Sequence, residues 1–249
     1  MNQIFGLIGF PLGHSFSKGY FDKKFTNEGI QNRTYENFSL ENIEQLPSLI
    51  AANPGLVGLN VTIPYKELVI PYLNDIDQEA AEIGAVNTIK FVRTSGKVEL
   101  IGYNTDIIGF KNSLLKFWDN RNKKAIVLGS GGASKAVLYV LNSMGVEVIV
   151  VSRSKTGKGL INYNDLTPRL IKENKLIINT TPLGMYPHIE EAPDMPYEYI
   201  TSNHFLFDLI YNPDETKFLK MGRIKGAHTM NGLNMLVEQA EKSWEIWNS

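Results

Sequence analysis

Several polar side chains in the first half of the chain are of types that take part in catalysis and substrate binding. Ser15 and Ser17 carry two hydroxyls beside a predicted helix start. If both point into a cleft they could bind a substrate carboxylate, whereas a single serine before a helix commonly caps it. Asn60 and Thr62 lie on one face of a predicted strand because strand side chains alternate. Lys66 follows that strand, where a lone lysine is usually solvated.

Two more polar groups follow in the segments Gly84-Ala85-Val86-Asn87-Thr88 and Gly102-Tyr103-Asn104-Thr105-Asp106. Asn87 places an amide next to a predicted strand. Asp106 places a carboxylate at a predicted helix N-terminus, where it could instead be a cap or a dipole partner. Ligands of open α/β sheets bind at the ends of strands. Hydroxyls, an amide, an ammonium and a carboxylate at such an edge suit a small, polyhydroxylated acid.

A second candidate site is a glycine cluster that follows an apolar strand and precedes small, helix-forming residues. It reads Gly129-Ser130-Gly131-Gly132-Ala133. Such a turn directs backbone N–H groups and the positive end of a helix dipole at one point, where a pyrophosphate can bind. The alternative is an ordinary strand-to-helix turn, since glycine clusters also occur there without a ligand.

The end of the next predicted strand, residues 146–151, discriminates between the two nicotinamide cofactors. An acid that binds the ribose would lie about there, but the sequence reads Ser152-Arg153-Ser154. A guanidinium and two hydroxyls suit a 2′-phosphate, which a carboxylate would repel. The sequence therefore predicts NADP rather than NAD, with a solvated basic loop as the alternative.

The composition argues against several other classes of function. The 249 residues carry a formal net charge of −1 and contain no cysteine, so we expect no nucleic-acid partner, no disulfide and no thiolate chemistry. The four histidines show no metal-ligand spacing, and neither a Gly-x-Ser-x-Gly elbow nor a Walker lysine occurs. We expect no metal and a cytoplasmic protein without membrane association, because neither a signal-peptide pattern nor an apolar run of membrane-spanning length is present.

Short apolar runs alternate with helical patterns, which predicts an α/β protein with largely parallel sheets. The predicted strands cover residues 4–9, 34–38, 56–61, 87–92, 125–128, 146–151, 176–179 and 205–209. The predicted helices cover residues 17–27, 43–53, 105–118, 132–144 and 233–247. The polar segment 119–124 is a candidate domain boundary, and the helix before it could join two domains.

A series of motifs runs in order from about residue 6 to residue 244. They are Gly9…His14-Ser15-x-Ser17, Asn60-Val61-Thr62-x-Pro64-x-Lys66, Gly84-Ala85-Val86-Asn87-Thr88, Asn104-Thr105-Asp106, Gly129-x-Gly131-Gly132-Ala133-Ser134, Asn179-Thr180-Thr181-Pro182-Leu183-Gly184-Met185, Asp208-Leu209-x-Tyr211-Asn212-Pro213-x-x-Thr216 and Asn231-Gly232-Leu233-x-Met235-Leu236-x-x-Gln239-Ala240. Taken together, this ordered set resembles the shikimate dehydrogenase family.

The resemblance implies an NADP-dependent oxidoreductase that reversibly reduces 3-dehydroshikimate to shikimate in the chorismate route to aromatic amino acids. It also implies two α/β domains with the site in the cleft between them. An N-terminal substrate-binding domain would comprise residues 1–101 plus 235–249, because the C-terminal helix returns to it in that family. A Rossmann-like NADP-binding domain would comprise residues 102–234.

The resemblance also assigns roles by position. Ser15 and Ser17 would hold the substrate carboxylate, and Lys66 and Asp106 would be the catalytic pair. The positions predicted to contact substrate are Ser15, Ser17, Asn60, Thr62, Lys66, Asn87, Asp106, Tyr211 and Gln239. The positions predicted to bind the cofactor are Gly129, Ser130, Gly131, Gly132, Ala133, Ser152, Arg153, Ser154, Leu209 and Gly232, of which Leu209 and Gly232 would contribute backbone.

The sequence departs from the family pattern at Lys18, where proline often follows the second serine, and at Ser130, where small residues are usual. Lys18 adds a charge near the hydroxyls expected to bind carboxylate. One alternative is a quinate/shikimate dehydrogenase that uses NAD or NADP. Another is a non-catalytic sensor of a dinucleotide or a polyol acid, against which the presence of both Lys66 and Asp106 argues. A small-molecule substrate and a monomer or homodimer are expected.

Overall fold

The computed structural model describes residues 2–12, 15–94, 96–153 and 159–249. The chain divides into two compact units: the first comprises Met1–Ile108 and Val237–Ser249, and the second comprises Gly109–Leu236. Each unit contains one six-stranded sheet with helices, so the predicted α/β class with two domains is confirmed. That residues 1–101 plus 235–249 bind substrate and residues 102–234 bind NADP stays a prediction.

The first unit is built on a mixed sheet. Its elements are β1 (Gln3–Gly9), α1 (Phe16–Asn27), β2 (Arg33–Ser39), α2 (Leu46–Ala52), β3 (Leu56–Val61), α3 (Tyr65–Leu68), β4 (Asp75–Ile76), α4 (Gln78–Ile83), β5 (Thr88–Thr94), β6 (Lys97–Tyr103) and the start of α5 (Asp106–Phe117). The strand order is β2-β1-β3-β5-β6-β4. Strands β1, β2 and β3 are parallel, whereas β5 is antiparallel to both β3 and β6.

This topology brings four chain segments to one edge of the sheet. Strands β1 and β3 are parallel and end there. Because β5 is antiparallel to β3, with Asn60 opposite Thr88, β5 begins at the same edge. Strand β6 is antiparallel to β5, with Thr88 opposite Tyr103, and therefore ends there too. The residues after β1, after β3, before β5 and after β6 consequently meet.

The two faces of this sheet are covered by separate apolar clusters, as alternating strand side chains require. In β1, Ile8 joins one cluster, while Phe5 joins Phe21 and Trp247 in the other. From Val237 onward, the last helix belongs to the first unit. Its Trp247 ring lies where a Cβ on Gly58 would be, and its Nε1 donates a hydrogen bond of 3.0 Å to Ile89 O. The C-terminal segment is thus part of the core beneath this sheet.

The second unit is built on a fully parallel sheet. After the rest of α5 its elements are β7 (Lys124–Leu128), α6 (Gly132–Ser143), β8 (Glu147–Val151), β9 (Leu160–Ile161), α7 (Pro168–Glu173), β10 (Leu176–Asn179), β11 (Phe205–Asp208), α8 (Lys217–Ile224), β12 (His228–Met230) and the start of α9 (Leu233–Asn248). The strand order β9-β8-β7-β10-β11-β12 is that of a doubly wound dinucleotide-binding fold.

The central strand β7 is buried along residues 125–128, all with no exposed surface. A parallel strand covered by helices on both faces reads as a continuous apolar run, which explains the sequence of this strand. The strand order reverses between β7 and β10. Ligands of such sheets bind outside the carboxyl ends of the strands at that reversal point, where the glycine cluster begins.

Candidate active site

Lys66 and Asp106 are in direct contact at the edge of the first sheet. Lys66 Nζ lies 2.7 Å from Asp106 Oδ2, and the side chains are 20% and 8% exposed. Lys66 lies in α3, directly after β3, and Asp106 is the first residue of α5, where the helix dipole favours a carboxylate. An ion pair with so little contact with solvent attracts more strongly than a surface pair. The structure therefore brings together the two residues predicted to be the catalytic pair.

Hydrogen bonds of the neighbouring backbone hold this pair in place. Lys66 O accepts a hydrogen bond of 2.7 Å from Val86 N, in the loop before β5. Asn104 Oδ1 accepts from Asp106 N at 3.1 Å, and its Nδ2 donates to Ala85 O at 2.8 Å. The loop between α4 and β5 thus connects the segment that carries the lysine to the segment that carries the aspartate.

Asn87 is buried beside the pair, with 5% of its surface exposed. Its Oδ1 accepts hydrogen bonds from Thr105 N at 2.7 Å, from Thr105 Oγ1 at 3.1 Å and from Thr88 Oγ1 at 3.1 Å. No residue in the described part of the chain accepts a hydrogen bond from its Nδ2. The oxygen end is therefore used inside the protein, whereas the N–H end has no acceptor among the described residues.

The two predicted carboxylate-binding serines differ in their surroundings. Ser15 is the N-cap of α1, and its Oγ accepts from Lys18 N at 3.4 Å. This use of the oxygen leaves the Ser15 O–H free to donate. The Ser17 hydroxyl is hydrogen-bonded to the phenol of Tyr35, whose pKa is raised by its complete burial.

The ammonium of Lys18 is paired with groups of the protein. Its Nζ donates to Tyr35 O at 2.6 Å and lies 3.4 Å from Glu36 Oε2 and 3.6 Å from Asp22 Oδ2. The carboxylates of Glu36 and Asp22 compensate the positive charge of the Lys18 ammonium. The positive charge that Lys18 adds to the family pattern is therefore neutralised locally.

Asn60 uses both ends of its carboxamide inside the first unit. Its Oδ1 accepts from Tyr35 Oη at 2.8 Å, and its Nδ2 donates to Ser243 Oγ at 2.9 Å and Thr88 Oγ1 at 3.1 Å. Two other predicted substrate residues contrast with it. Thr62 follows β3, Gln239 lies in α9, and among the described residues neither side chain has a hydrogen-bond partner.

The glycine cluster of the second unit provides open space in front of a helix. Gly129 has a φ of +106°, and a Cβ there would lie 2.7 Å from Thr180 Oγ1, so both the conformation and the space require glycine. At Gly131 and Gly132 an added Cβ would meet no atom within 4 Å. Gly131 is the N-cap of α6 and supplies no side-chain cap. The first N–H groups of a helix are then available for a phosphate.

The end of β8 lies against this cluster. Ser130 Oγ and Ser152 Oγ are 2.9 Å apart, which connects the glycine turn to the residue after β8. Arg153 is exposed, as a guanidinium must be to reach a ligand phosphate. Ser154, the third predicted residue of this group, lies outside the described residues. The first two residues after β8, Ser152 and Arg153, carry no carboxylate. The exposed guanidinium and the missing carboxylate both fit NADP.

The two backbone positions predicted at the cofactor site adjoin each other. A Cβ on Gly232 would collide with the carbonyl group of Leu209, so this close approach requires glycine. Leu209 is the residue after β11. Its N donates to Asn179 O at 3.0 Å, which holds Leu209 beside the end of the neighbouring strand β10. Tyr211 is half-buried in the same unit.

Two buried polar residues near these sites were not predicted. Asp208 precedes Leu209, and its carboxylate accepts from Asn179 Nδ2 and Ile210 N, both at 3.0 Å, and from Thr216 Oγ1 at 2.6 Å. Burial raises the pKa of Asp208 to about 6. The other is Ser243 in α9, with no exposed surface. In the sequence, Ser243 could have been recognised as a hydroxyl on the apolar face of the last predicted helix. Asp208 could have been recognised by its spacing from Thr216.

Two negative observations apply to the described part of the chain. No group of three or more histidine, cysteine, aspartate or glutamate side chains there could hold a metal ion. Of the helices described, none combines the length and the apolar character needed to cross a membrane.

Residues 7–89 match the family model described as the shikimate dehydrogenase substrate binding domain. A shikimate dehydrogenase (NADP(+)) of Halothermothrix orenii is 40% identical over 271 residues, which cover 98% of this chain and 90% of that protein. The solved chorismate mutase/shikimate 5-dehydrogenase fusion protein from Clostridium acetobutylicum is 41% identical with a TM-score of 0.88, covering 100% of this chain and 92% of that one.

A more distant structure is shikimate 5-dehydrogenase from Thermus thermophilus, solved in complex with NADP(H) and shikimate. It is 29% identical with a TM-score of 0.83, covering 98% of this chain and 93% of that one. The similarity spans nearly the full length of every protein compared, and it confirms the resemblance inferred from the motifs. The chain belongs to the shikimate dehydrogenase family.

Proposed function

We propose that this protein catalyses the reversible reduction of 3-dehydroshikimate to shikimate with NADPH, in the chorismate route to aromatic amino acids. The observation that carries the proposal is the 2.7 Å contact between Lys66 Nζ and Asp106 Oδ2. A proton donor and a carboxylate are held together at a sheet edge that also carries Asn87, whose Nδ2 has no acceptor among the described residues. Such an arrangement suits a reaction at a secondary alcohol or ketone of a polyhydroxylated ring.

The chain's own residues have to supply and accept one proton. When bound, NADPH supplies the hydride. Lys66 Nζ donates a proton to the carbonyl oxygen as negative charge develops on it, which is general acid catalysis. Asp106 Oδ2 accepts a hydrogen bond from Lys66 and keeps the ammonium directed at that oxygen. In the direction of shikimate oxidation the same amine accepts the hydroxyl proton.

Substrate orientation follows from the donors at this edge. The O–H group of Ser15 is assigned to the carboxylate, and Asn87 Nδ2 donates to a ring hydroxyl. A contact of Ser17 with the carboxylate stays a prediction, because its hydroxyl is hydrogen-bonded to Tyr35. Thr62 and Gln239 have side chains without partners among the described residues and are assigned to the remaining hydroxyls. A contact of Tyr211 with substrate, implied by its match to the family motif, stays a prediction. A direct contact of Asn60 with substrate stays a prediction, because both ends of its carboxamide are used inside the protein.

NADP is assigned to the second unit. The N–H groups of the glycine cluster would hold the pyrophosphate, and the guanidinium of Arg153 would pair with the 2′-phosphate. Leu209 and Gly232 would contribute backbone groups. The full set assigned to the cofactor is Gly129, Ser130, Gly131, Gly132, Ala133, Ser152, Arg153, Ser154, Leu209 and Gly232.

The experiment that tests this function is a crossed assay of nicotinamide absorbance with shikimate or quinate and NADP or NAD. We expect the highest kcat/KM with shikimate and NADP. Faster oxidation of quinate with NAD would identify a quinate/shikimate dehydrogenase instead. Binding of NADP without turnover of either acid would indicate a sensor.

A cytoplasmic location is also proposed, which the absence of cysteine supports. The net charge of −1 supports the absence of a nucleic-acid partner. For the oligomeric state we retain a monomer or a homodimer, which light scattering on the purified protein distinguishes.

A further inference from the structure

A group of mostly buried polar side chains, joined by hydrogen bonds, lies behind the substrate edge of the first unit. We call it the Ser243 network; its members are Asn60, Asn87, Thr88, Thr105 and Ser243. Thr88 and Ser243 have no exposed surface, Thr105 is 1% exposed and Asn87 is 5% exposed. Buried polar groups are costly unless they are hydrogen-bonded, so the pattern of their hydrogen bonds determines how each side chain is oriented.

Ser243 is the centre of this network. Its Oγ donates to Gln239 O at 2.9 Å, one helical turn earlier in α9. The same oxygen accepts from Asn60 Nδ2 at 2.9 Å and lies 2.9 Å from Thr88 Oγ1 and 3.4 Å from Thr105 Oγ1. A hydroxyl has one hydrogen and two lone pairs. With its hydrogen given to Gln239 O, Ser243 accepts from Asn60 Nδ2. Each threonine has one hydroxyl hydrogen, so a threonine that donates to Asn87 Oδ1 does not also donate to Ser243.

The two threonines connect this centre to Asn87. Thr88 Oγ1 and Thr105 Oγ1 each lie 3.1 Å from Asn87 Oδ1, and Thr105 N donates to the same oxygen at 2.7 Å. If the Asn87 carboxamide were rotated by half a turn, its N–H end would face the N–H of Thr105. Two facing donors leave both unsatisfied, which is strongly unfavourable in a buried site. The network therefore fixes Asn87 with its Nδ2 directed away from it.

We propose that Ser243 is a positioning residue for substrate binding, an inference that rests on the proposed function. Through Asn60, which donates to Asn87 O and Thr88 Oγ1, and through Thr88 itself, it holds the start of β5, where Asn87 is a donor to a ring hydroxyl of the substrate. Through Gln239 O it also ties the helical turn that carries Gln239 to the sheet. Ser243 touches neither substrate nor cofactor, so its effect is on the affinity for shikimate and not on the proton transfer by Lys66.

The test compares Ser243→Ala with a matched change in the same helix. Ser243→Ala removes one oxygen, which is the acceptor 2.9 Å from Asn60 Nδ2. Trp247→Phe removes the hydrogen bond to Ile89 O and loosens α9 on the same sheet without touching the network. The Kd for shikimate is measured by calorimetry, and kcat and KM for both substrates are measured by absorbance. Thermal unfolding of both variants is recorded.

We expect Ser243→Ala to raise the Kd and KM for shikimate by about tenfold, as one lost hydrogen bond implies. Its kcat and its KM for NADP should stay within about twofold of wild type. Trp247→Phe should lower the unfolding temperature and leave the Kd for shikimate unchanged. Equal changes of that Kd in the two variants would show general loosening of the helix and overturn the proposal, as would an unchanged Kd in Ser243→Ala.

Thr88→Val provides a second route that keeps the shape of a buried strand residue, should Ser243→Ala not fold. It removes the hydroxyl between Ser243 and Asn87, and we expect a similar rise of the Kd for shikimate. In the double variant, the rise should be smaller than the product of the two single effects because both act through one network. Independent effects that multiply in the double variant would overturn the proposed role of Ser243.

A wild-type protein that binds shikimate without turnover would contradict the proposed activity alone. A wild-type protein that does not bind shikimate would overturn both the proposed activity and the role of Ser243.

Discussion

The candidate site of the first unit consists of side chains, whereas that of the second consists mainly of backbone. At the first, Lys66, Asp106 and Asn87 are oriented by hydrogen bonds from several strands and loops. At the second, the glycine cluster offers N–H groups and open space, and Arg153 is the charged side chain assigned to the ligand. The geometry of the first site is determined by hydrogen bonds between side-chain atoms. The geometry of the second is determined by glycines, whose lack of a Cβ leaves space for a ligand.

This difference has a consequence for mutation. In the first unit, an exchange that alters one polar atom should change chemistry or affinity with little effect on the backbone. In the second, a methyl group added at a glycine should act through conformation or through exclusion of the ligand.

The largest effect is expected for Lys66→Ala. The variant lacks the proton donor but keeps the substrate-binding hydroxyls, so kcat should fall by ~10²–10⁴ with a smaller change in KM. Steady-state kinetics with shikimate and NADP measures this. Lys97→Ala, at an exposed position in β6, is the matched control and should behave as wild type. A folded Lys66→Ala enzyme with near-normal kcat would refute the assigned role.

The exception within the second unit is Asp208, a side chain that holds the turn next to the cofactor positions. Burial raises the pKa of its carboxyl from 3.8 to about 6. The folded state therefore binds the proton more tightly than the unfolded state. The resulting stabilisation is complete below about pH 4 and is lost as the pH rises through about 6, by about 3 kcal/mol at most.

Asp208→Asn removes this titration while keeping the shape of the side chain. The difference in unfolding free energy, wild type minus variant, should therefore decrease between pH 4 and pH 7.5. Urea unfolding at the two pH values measures it. Asp119→Asn, an exposed position before β7, should show no such trend. A constant difference for Asp208→Asn would mean that its carboxyl is not perturbed.

Two glycines of one turn separate conformational effects from effects on the ligand. Gly129→Ala places a Cβ on a residue with a φ of +106° and against Thr180, so unfolding free energy should fall by about 1–3 kcal/mol. Gly131→Ala meets no atom of the protein, and its φ of −85° suits alanine. It should leave stability near wild type and raise the KM for NADP by about tenfold, because the methyl group occupies space assigned to the pyrophosphate. Equal losses of stability in both variants would contradict this distinction.

Strands with a long apolar or alternating pattern can be predicted from the sequence, whereas short strands cannot. Strands β1, β3, β7 and β10 were found because each is a run of four or more residues with clear apolar character or alternation. Strand β6 was missed because Lys97–Tyr103 begins with exposed residues and is a strand by virtue of its pairing with β5 and β4. The two-residue strands β4 and β9 contain no pattern to find.

The candidate site was predicted in composition but not in arrangement. The motifs identified Lys66 and Asp106, but they are 40 residues apart, and their contact depends on two antiparallel pairings that a prediction of largely parallel sheets does not specify. The use of Asn60 inside the protein depends on Ser243, 183 residues later. Which polar atom is satisfied internally, and which is left for substrate, follows from tertiary packing and not from residue type.

The smallest effect is expected at Arg153, the assigned charged contact of the second site. Removal of an exposed guanidinium should not alter stability, and Arg153→Ala should reduce kcat/KM with NADP by about tenfold, the size of one charge-assisted hydrogen bond. With NAD, which lacks the 2′-phosphate, kcat/KM should change by less than about twofold. The measurement is the ratio of the two values in wild type and variant. An unchanged ratio would assign the preference for NADP to Ser130 and Ser152, which would make this site, like that of the first unit, one specified by oriented hydroxyls.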